Sequence, residues 1–336
     1  MLDEQQSLAT LTEPVPTCPH TQKVRDTSKM SDSVVNDFPN ELDIPFISII
    51  CDIQLSEAKD LPDYLGSTLH GGFGHALMAV SNSLYNKVFA PFDAQGKASI
   101  KPFLFAIQNN ANDHKTSSSH VIRFSLTLFG NAVDTLPEVL AALMLWQTIG
   151  LGAKRNQFKI KRIATNDALP QMIFCDGQQY ALPHISSIKQ VLSQKLLVAQ
   201  TRVDANATLI ISTTSPWHLK HKRQVLRQAP SAELLALSTW RRLHKLNSMF
   251  DKPVQGVHSL PSFDNVQLSN ESTYHNYVSR YSKKDKQRHF MDSLQGIWAY
   301  SGNTVQFLPV LALAQIIGVG NKTTFGFGQF EFYLGR

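Results

Sequence analysis

From Ile44 onward the apolar positions of the chain recur with two periods, and the period separates strands from helices. Along Val121–Phe129, Ile122, Phe124, Leu126 and Leu128 alternate with Arg123, Ser125 and Thr127, the period-two pattern of a half-buried strand. Along Pro62–Val80, Leu65, Leu69, Phe73, Leu77 and Val80 recur three and four residues apart, which is the stripe of an amphipathic helix. The same reading predicts a buried strand at Pro45–Leu55, a strand at Pro102–Ile107, a helix at Leu136–Ile149 and a strand at Phe158–Ile163. Further on it predicts strands at Ala207–Thr213, around Tyr274–Tyr281, around Gly296–Tyr300 and at Gln329–Leu334, with helices at Ser231–Phe250 and Val305–Ile317. Residues 1–40 carry Pro14, Pro16, Pro19 and Pro39 among polar residues with little periodic apolar content, the composition of a disordered tail.

The pattern also repeats. Gln147-x-Ile149-Gly150-Leu151-Gly152-x-Lys154 returns as Gln315-x-Ile317-Gly318-Val319-Gly320-x-Lys322, and each copy follows an apolar helix and precedes a strand. Two similar units in tandem account for this echo. The order strand, helix, strand, strand, helix, strand in each unit is that of the ferredoxin-like split βαβ. The expected architecture is therefore α+β: two tandem ferredoxin-like (RRM-like, βαββαβ) domains, residues 41–166 and 167–336, with a glycine-rich loop at 318–328.

Charge changes the picture next. The 336 residues hold 32 Lys and Arg against 26 Asp and Glu, a net +6. The first forty hold six acids against three bases, so the remainder carries 29 bases, 20 acids and a net +9. A basic folded part favours a polyanionic partner. Cys18, Cys51 and Cys175 form no CxxC pair, which argues against a disulfide scaffold or a zinc knuckle and for a reducing, cytoplasmic setting. There is no apolar run of about 18 residues, so no membrane partner is expected.

Three segments could carry chemistry. The stretch Gly318–Gly328 places four glycines beside Lys322, Thr323 and Thr324, a backbone able to approach a phosphate closely. It is not a nucleotide-binding P-loop, because Asn321 separates Gly320 from Lys322 and the loop runs from helix to strand; the dinucleotide fingerprint fails on the same order of elements. No cofactor and no metal site is expected. The second segment, Gly66–Leu77, sets Gly66, Gly71, Gly72 and Gly74 with His70 and His75 on a helix, where each interior glycine costs about 1 kcal/mol against alanine. The two histidines point about 140° apart, so they act separately; His75 lies nearer the face opposite the apolar stripe and is preferred as the proton-transfer group, His70 second. The third segment is basic: Lys220, Lys222 and Arg223, then Arg241 and Arg242, with Tyr274, Tyr277 and Tyr281 later interleaved among Arg280, Lys283, Lys284, Lys286 and Arg288. Rings that stack on unpaired bases and cations that neutralise phosphates together suit RNA.

The stretches Gly66–Leu77, Lys101–Leu104, Leu126–Gly130, Ser215–Lys220, Arg241–Leu246 and the glycine-rich C-terminus resemble the CRISPR precursor-RNA-processing endoribonucleases of the RAMP superfamily. The resemblance is spread over residues 44–335. It implies two tandem ferredoxin-like domains, metal-independent cleavage of CRISPR repeat RNA, and association with guide RNA and other CRISPR effector subunits. It implies proton transfer by His75 or His70 and phosphate stabilisation by Lys322 with the amides of Gly320 and Gly326. RNA binding would fall to Lys220, Lys222, Arg223, Arg241 and Arg242 and to the loop glycines Gly318 and Gly328. The competing reading is a non-catalytic RNA-binding subunit of such a ribonucleoprotein.

Overall fold

A computed structural model describes residues 43–335 apart from 58–60, 94, 109–120, 201–206, 250–261 and 283–286. The tail expected at 1–40 lies outside the described residues, as do Lys283, Lys284 and Lys286.

The first unit runs β1 (Pro45–Leu55), α1 (Gly66–Val80), β2 (Phe103–Ile107), β3 (Val121–Phe129), α2 (Leu136–Ile149) and β4 (Phe158–Thr165). Short strands β5 (Met172–Cys175), β6 (Gln178–Gln179) and β7 (Ser186–Ser187) follow, then α3 (Ile188–Gln200). The second unit runs β8 (Thr208–Thr213), a small hairpin of β9 (Lys220–His221) and β10 (Gln224–Val225), α4 (Ala232–Asn247), β11 (Val266–Ser282), β12 (Gln287–Gly302), α5 (Leu308–Ile317) and β13 (Phe330–Gly335).

The strand orders are β2-β3-β1-β4 in the first sheet and β11-β12-β8-β13 in the second. Both are the same permutation of a βαββαβ unit, with all these pairings antiparallel. The fold is thus the tandem ferredoxin-like architecture that the echo implies. Alternation on β1 sends Ile47, Ile49, Cys51, Ile53 and Leu55 into a core with Leu69, Phe73 and Leu77 of α1 and Val139, Leu143 and Trp146 of α2. The opposite face of β1 carries Phe46, which joins Leu104, Phe129 and the α3 residues Ile188, Leu192 and Leu196 in the core of the second unit. The two units therefore share apolar packing.

Three features depart from the pattern reading. Strands β5 and β6 continue the first sheet beyond β4, and β7 pairs with β1 at Pro45 and Phe46. The division expected at 166/167 thus falls between two hydrogen-bonded strands; β5, although apolar, is only four residues long, and β6 and β7 are two polar residues each, too short to leave an apolar period. Helix α3 and the hairpin β9–β10 were likewise not expected. Strands β11 and β12 are also longer than their apolar content suggests. They pair with each other from Val266↔Gly302 to Ser282↔Gln287, whereas β12 meets β8 only from Ile297 to Tyr300. Beyond that contact the two strands satisfy each other's backbone groups, and only a few apolar side chains fix them: Leu294 bridges to Trp217, and Val278 and Met291 cluster with Phe327.

Candidate nucleic-acid interface

The loop after α5 is held on two sides. Gly318 ends α5 at φ 78°, donating its amide to Ala314 O, and Gly320 (φ 70°) lies so near His218 O that a Cβ there would stand 2.8 Å from it. The segment Ser215–His218 is the brace on one side. His218 O accepts from Asn321 N at 3.0 Å, Pro216 O accepts from Gly328 N at 2.9 Å, and Trp217 Nε1 donates to Gln329 O at 2.9 Å. On the other side stands the first unit. Tyr64 Oη donates to Phe325 O at 2.8 Å, and a Cβ on Gly66 would lie 1.8 Å from that same carbonyl. The glycine at the start of α1 is thus required by protein packing. Gly72 is required in the same way by the Trp146 indole of α2, 2.2 Å from where its Cβ would be.

This crossing fixes His70. Its ring is 8% exposed and lies 4.1 Å from the Phe325 ring and 4.6 Å from that of Phe89. Nδ1 is 3.1 Å from Thr324 O. A carbonyl only accepts, so Nδ1 carries the proton and Nε2 presents a lone pair. Lys101 Nζ stands 3.4 Å from Nε2 and 3.6 Å above the Phe89 ring. Burial, joined by the charges of Lys101 and Arg280, pulls the His70 pKa down to about 3 against the opposing pull of the Thr324 carbonyl. Burial and Arg280 bring Lys101 down to about 8. Arg280, on β11, sits 5.4 Å from the Phe325 ring and also depresses Lys322, after burial and ahead of Lys220.

Lys101, Thr324 and Phe325 also line a cleft of about 1120 Å³ between the units. Its walls carry Lys97 and Lys101 from the first unit, Lys220, Lys222 and Arg223 from the β9–β10 hairpin, and Arg241, Arg242 and Lys245 from α4; Lys322 lies on the glycine loop. Among the described residues of the lining nine cations face one acid, Asp93, which makes the cleft a trap for an anion.

The sequence-derived residues divide accordingly. Lys220, Lys222, Arg223, Arg241, Arg242, Gly320 and Lys322 are brought together in the cleft lining. Gly318, Gly326 and Gly328 are not among the lining residues, and their amides donate to Ala314 O, Thr323 O and Pro216 O. They build the loop, and the amide of Gly326, expected to meet phosphate, is already committed. Arg242 is 8% exposed and its Nε donates to Ile317 O at the end of α5, a cation on a helix C-terminus; burial lowers its pKa to about 10. Of the two histidines, His70 meets the glycine loop while His75 stays on the exposed face of α1. Sequence reasoning missed Tyr64, Lys101 and Arg280 as parts of one cluster, since they come from three distant segments. Among the described residues no group of three or more His, Cys, Asp or Glu side chains could hold a metal ion, and no helix is long and apolar enough to cross a membrane.

Two ferredoxin-like units, clasped by a glycine loop beside a cationic cleft, define a protein shaped to hold a polyanionic strand. Residues 44–186 match a family model described as an N-terminal domain, and residues 211–330 match the CRISPR-associated endoribonuclease Cas6. The second unit of the chain is thus similar, over residues 211–330, to the Cas6-type endoribonucleases that process CRISPR repeats. Solved structures with a similar fold include a Cas6 product complex (17% identity, 86% of this chain and 99% of that one, TM-score 0.53) and Thermus thermophilus Cas6 (15%, 86% and 99%, TM-score 0.50). A partial Cas6-RT-Cas1–Cas2 complex is also similar (12%, TM-score 0.58); the match covers 87% of this chain but 46% of that longer one. A comparison with curated proteins finds no match.

Proposed function

We propose that this chain cleaves CRISPR repeat RNA within a precursor transcript without a metal, by in-line attack of the 2′-hydroxyl on the adjacent phosphate. The observation that carries the reading is the His70–Lys101 pair, with Nε2 and Nζ 3.4 Å apart and Lys101 lining the cationic cleft. His70 Nε2, neutral at physiological pH, accepts the proton of the 2′-hydroxyl as it attacks phosphorus. The Lys101 ammonium, with its lowered pKa, gives a proton to the departing 5′-oxygen, so the products are a 2′,3′-cyclic phosphate and a 5′-hydroxyl. Arg280 and Lys322 stabilise the charge of the phosphorane. Tyr64 holds the glycine loop in place through Phe325. The cleft cations bind the flanking strand, and the first unit extends to about residue 187, past the 166/167 division. His70 is taken before His75 as the proton acceptor because it meets the loop at Thr324 and Lys101 at Nε2.

One observation favours the non-catalytic alternative: His70 is packed among Phe89, Phe103 and Phe325 as a structural histidine would be. Incubation with cognate repeat RNA in EDTA separates the two. Cleavage to a cyclic-phosphate end, abolished in His70→Ala and retained in His75→Ala, is the expected result; tight binding with no cleavage by the native chain supports the binding subunit. Association with other CRISPR proteins, as in the RT-Cas1–Cas2 assembly of the similar structure, is a further part of the proposal.

A further inference from the structure

Five non-glycine residues among those described have φ in the left-handed region: Arg155, Asp176, Lys222, Arg223 and Lys322. The first two lie in exposed turns. The other three are all cations, and all three line the same cleft. Lys222 (φ 46°) and Arg223 (φ 69°) are the two central residues of the β9–β10 turn, closed by His221↔Gln224 pairing. Positive φ at both central positions is the geometry for which Asn-Gly is strongly preferred, and a long side chain there is strained. Lys322 (φ 64°) has the same strain at the entry to the one-turn helix Thr323–Phe325.

The hairpin is rooted in the loop's own brace. Leu219 is buried, Leu226 N donates to Leu219 O, and the preceding residue, His218, is bridged to Asn321. Lys222 and Arg223 are therefore held at a set position relative to Lys322. In the same cleft Arg242, also 8% exposed, has Nη2 buried with no hydrogen-bond partner, a donor consistent with a bound anion completing its coordination.

We propose that the His221–Gln224 turn is a rigid phosphate clamp, in which Lys222 and Arg223 grip successive phosphates of the strand whose scissile bond lies at the glycine loop. This rests on reading the cleft as the RNA site. Strain at the turn is retained because glycine and asparagine, which would relieve it, carry no charge.

The test uses the full chain, a labelled oligouridylate as a sequence-neutral probe, and salt from about 50 to 200 mM. Lys222→Asn/Arg223→Gly is expected to raise the melting temperature by a few degrees while lowering the slope of log affinity against log salt by about 1.4, the share of two phosphates on a single strand. Lys222→Gln/Arg223→Gln should lower the slope equally without the thermal gain, and Lys222→Arg/Arg223→Lys should keep it. An unchanged slope in both charge-removing variants, with a reduced slope in Arg241→Ala, overturns the clamp and leaves the cleft as the RNA site. If Arg241→Ala is also without effect, the reading of the cleft falls. A melting temperature that does not rise in the Asn-Gly variant overturns the strain argument.

Discussion

The two helix-to-strand connections of this protein begin alike and end differently. After α2, Gly150 (φ 80°, ψ 164°) is followed by buried Leu151 and by Gly152 (φ 77°); after α5, Gly318 (φ 78°, ψ 154°) is followed by buried Val319 and by Gly320 (φ 70°). The glutamine that opens each echo ties its helix to the next strand: Gln147 Oε1 accepts from Ile160 N at 2.8 Å, and Gln315 Nε2 donates to Phe330 O at 3.3 Å. From there they diverge. The first connection closes on itself, with Leu151 and Asn156 exchanging both backbone hydrogen bonds, and leaves Lys154 exposed. The second is four residues longer before its strand and spends them on Thr323–Gly326, which reach Tyr64, Gly66 and His70 of the other unit. The shared part is the solution to a common problem, ending a helix and starting a strand. The extra residues turn one copy into a clasp, and Lys322 into a cleft residue where Lys154 is a surface one.

Removing a side chain that only the second loop touches should have the greatest consequence. His70→Ala should lower the single-turnover cleavage rate of repeat RNA at least 100-fold, the scale of a lost proton-transfer group, while His75→Ala stays within a few-fold. Equal losses in both would detach catalysis from the loop.

Alanine at matched glycines comes next. Gly150→Ala places a Cβ 2.5 Å from Arg155 O at positive φ and should cost about 1–3 kcal/mol in chemical denaturation, with normal cleavage by the molecules that remain folded. Gly326→Ala places one 2.9 Å from Tyr64 Oη and should cost a similar amount and also slow cleavage by shifting the loop off His70. A Gly326→Ala enzyme that cleaves normally would show that the clasp has no catalytic role.

Acid should act on the second connection through the same histidine. Unfolded, His70 takes up a proton near pH 6.5; folded, it resists until about pH 3. Stability therefore falls as pH drops through this window, with a slope from this one group of up to about 1.4 kcal/mol per pH unit. His70→Gln should flatten the melting temperature between pH 6.5 and 4, and an unchanged profile would mean the imidazole is solvated.

The smallest effect compares the echoed glutamines. Gln147→Ala and Gln315→Ala should each destabilise by about 1 kcal/mol, the worth of one hydrogen bond, and a large asymmetry in urea denaturation would sharpen how far the copies still do the same work.

Much of this was legible along the chain. The alternation at Val121–Phe129 and the stripe through Leu69, Phe73 and Leu77 are local signals, because a strand or helix that buries one face writes its period into consecutive residues. The echo at 147–154 and 315–322 marked two units for the same reason. That His70 and not His75 meets Thr324 of the glycine loop turns on a point that a helical wheel does not contain. The wheel places His70 beside the buried stripe, but whether that neighbourhood is inert core or a seam with another unit depends on what packs there. Arg242 read as one of a pair of surface cations with Arg241, and only α5 beside it turns its guanidinium to Ile317 O.

The order of the two βαββαβ cores, the duplication, the basic charge and the glycines that end both helices are written in consecutive residues, since each follows from near-neighbour sterics or from simple counting. The tertiary structure decided which histidine meets the loop, which cations share a cleft, and why Gly66 and Gly72 stand in a helix. Those depend on atoms brought together from residues up to 261 positions apart, as Tyr64 and Phe325 are, and contact at that range is fixed by how two sheets and their helices pack, not by any pattern in consecutive residues.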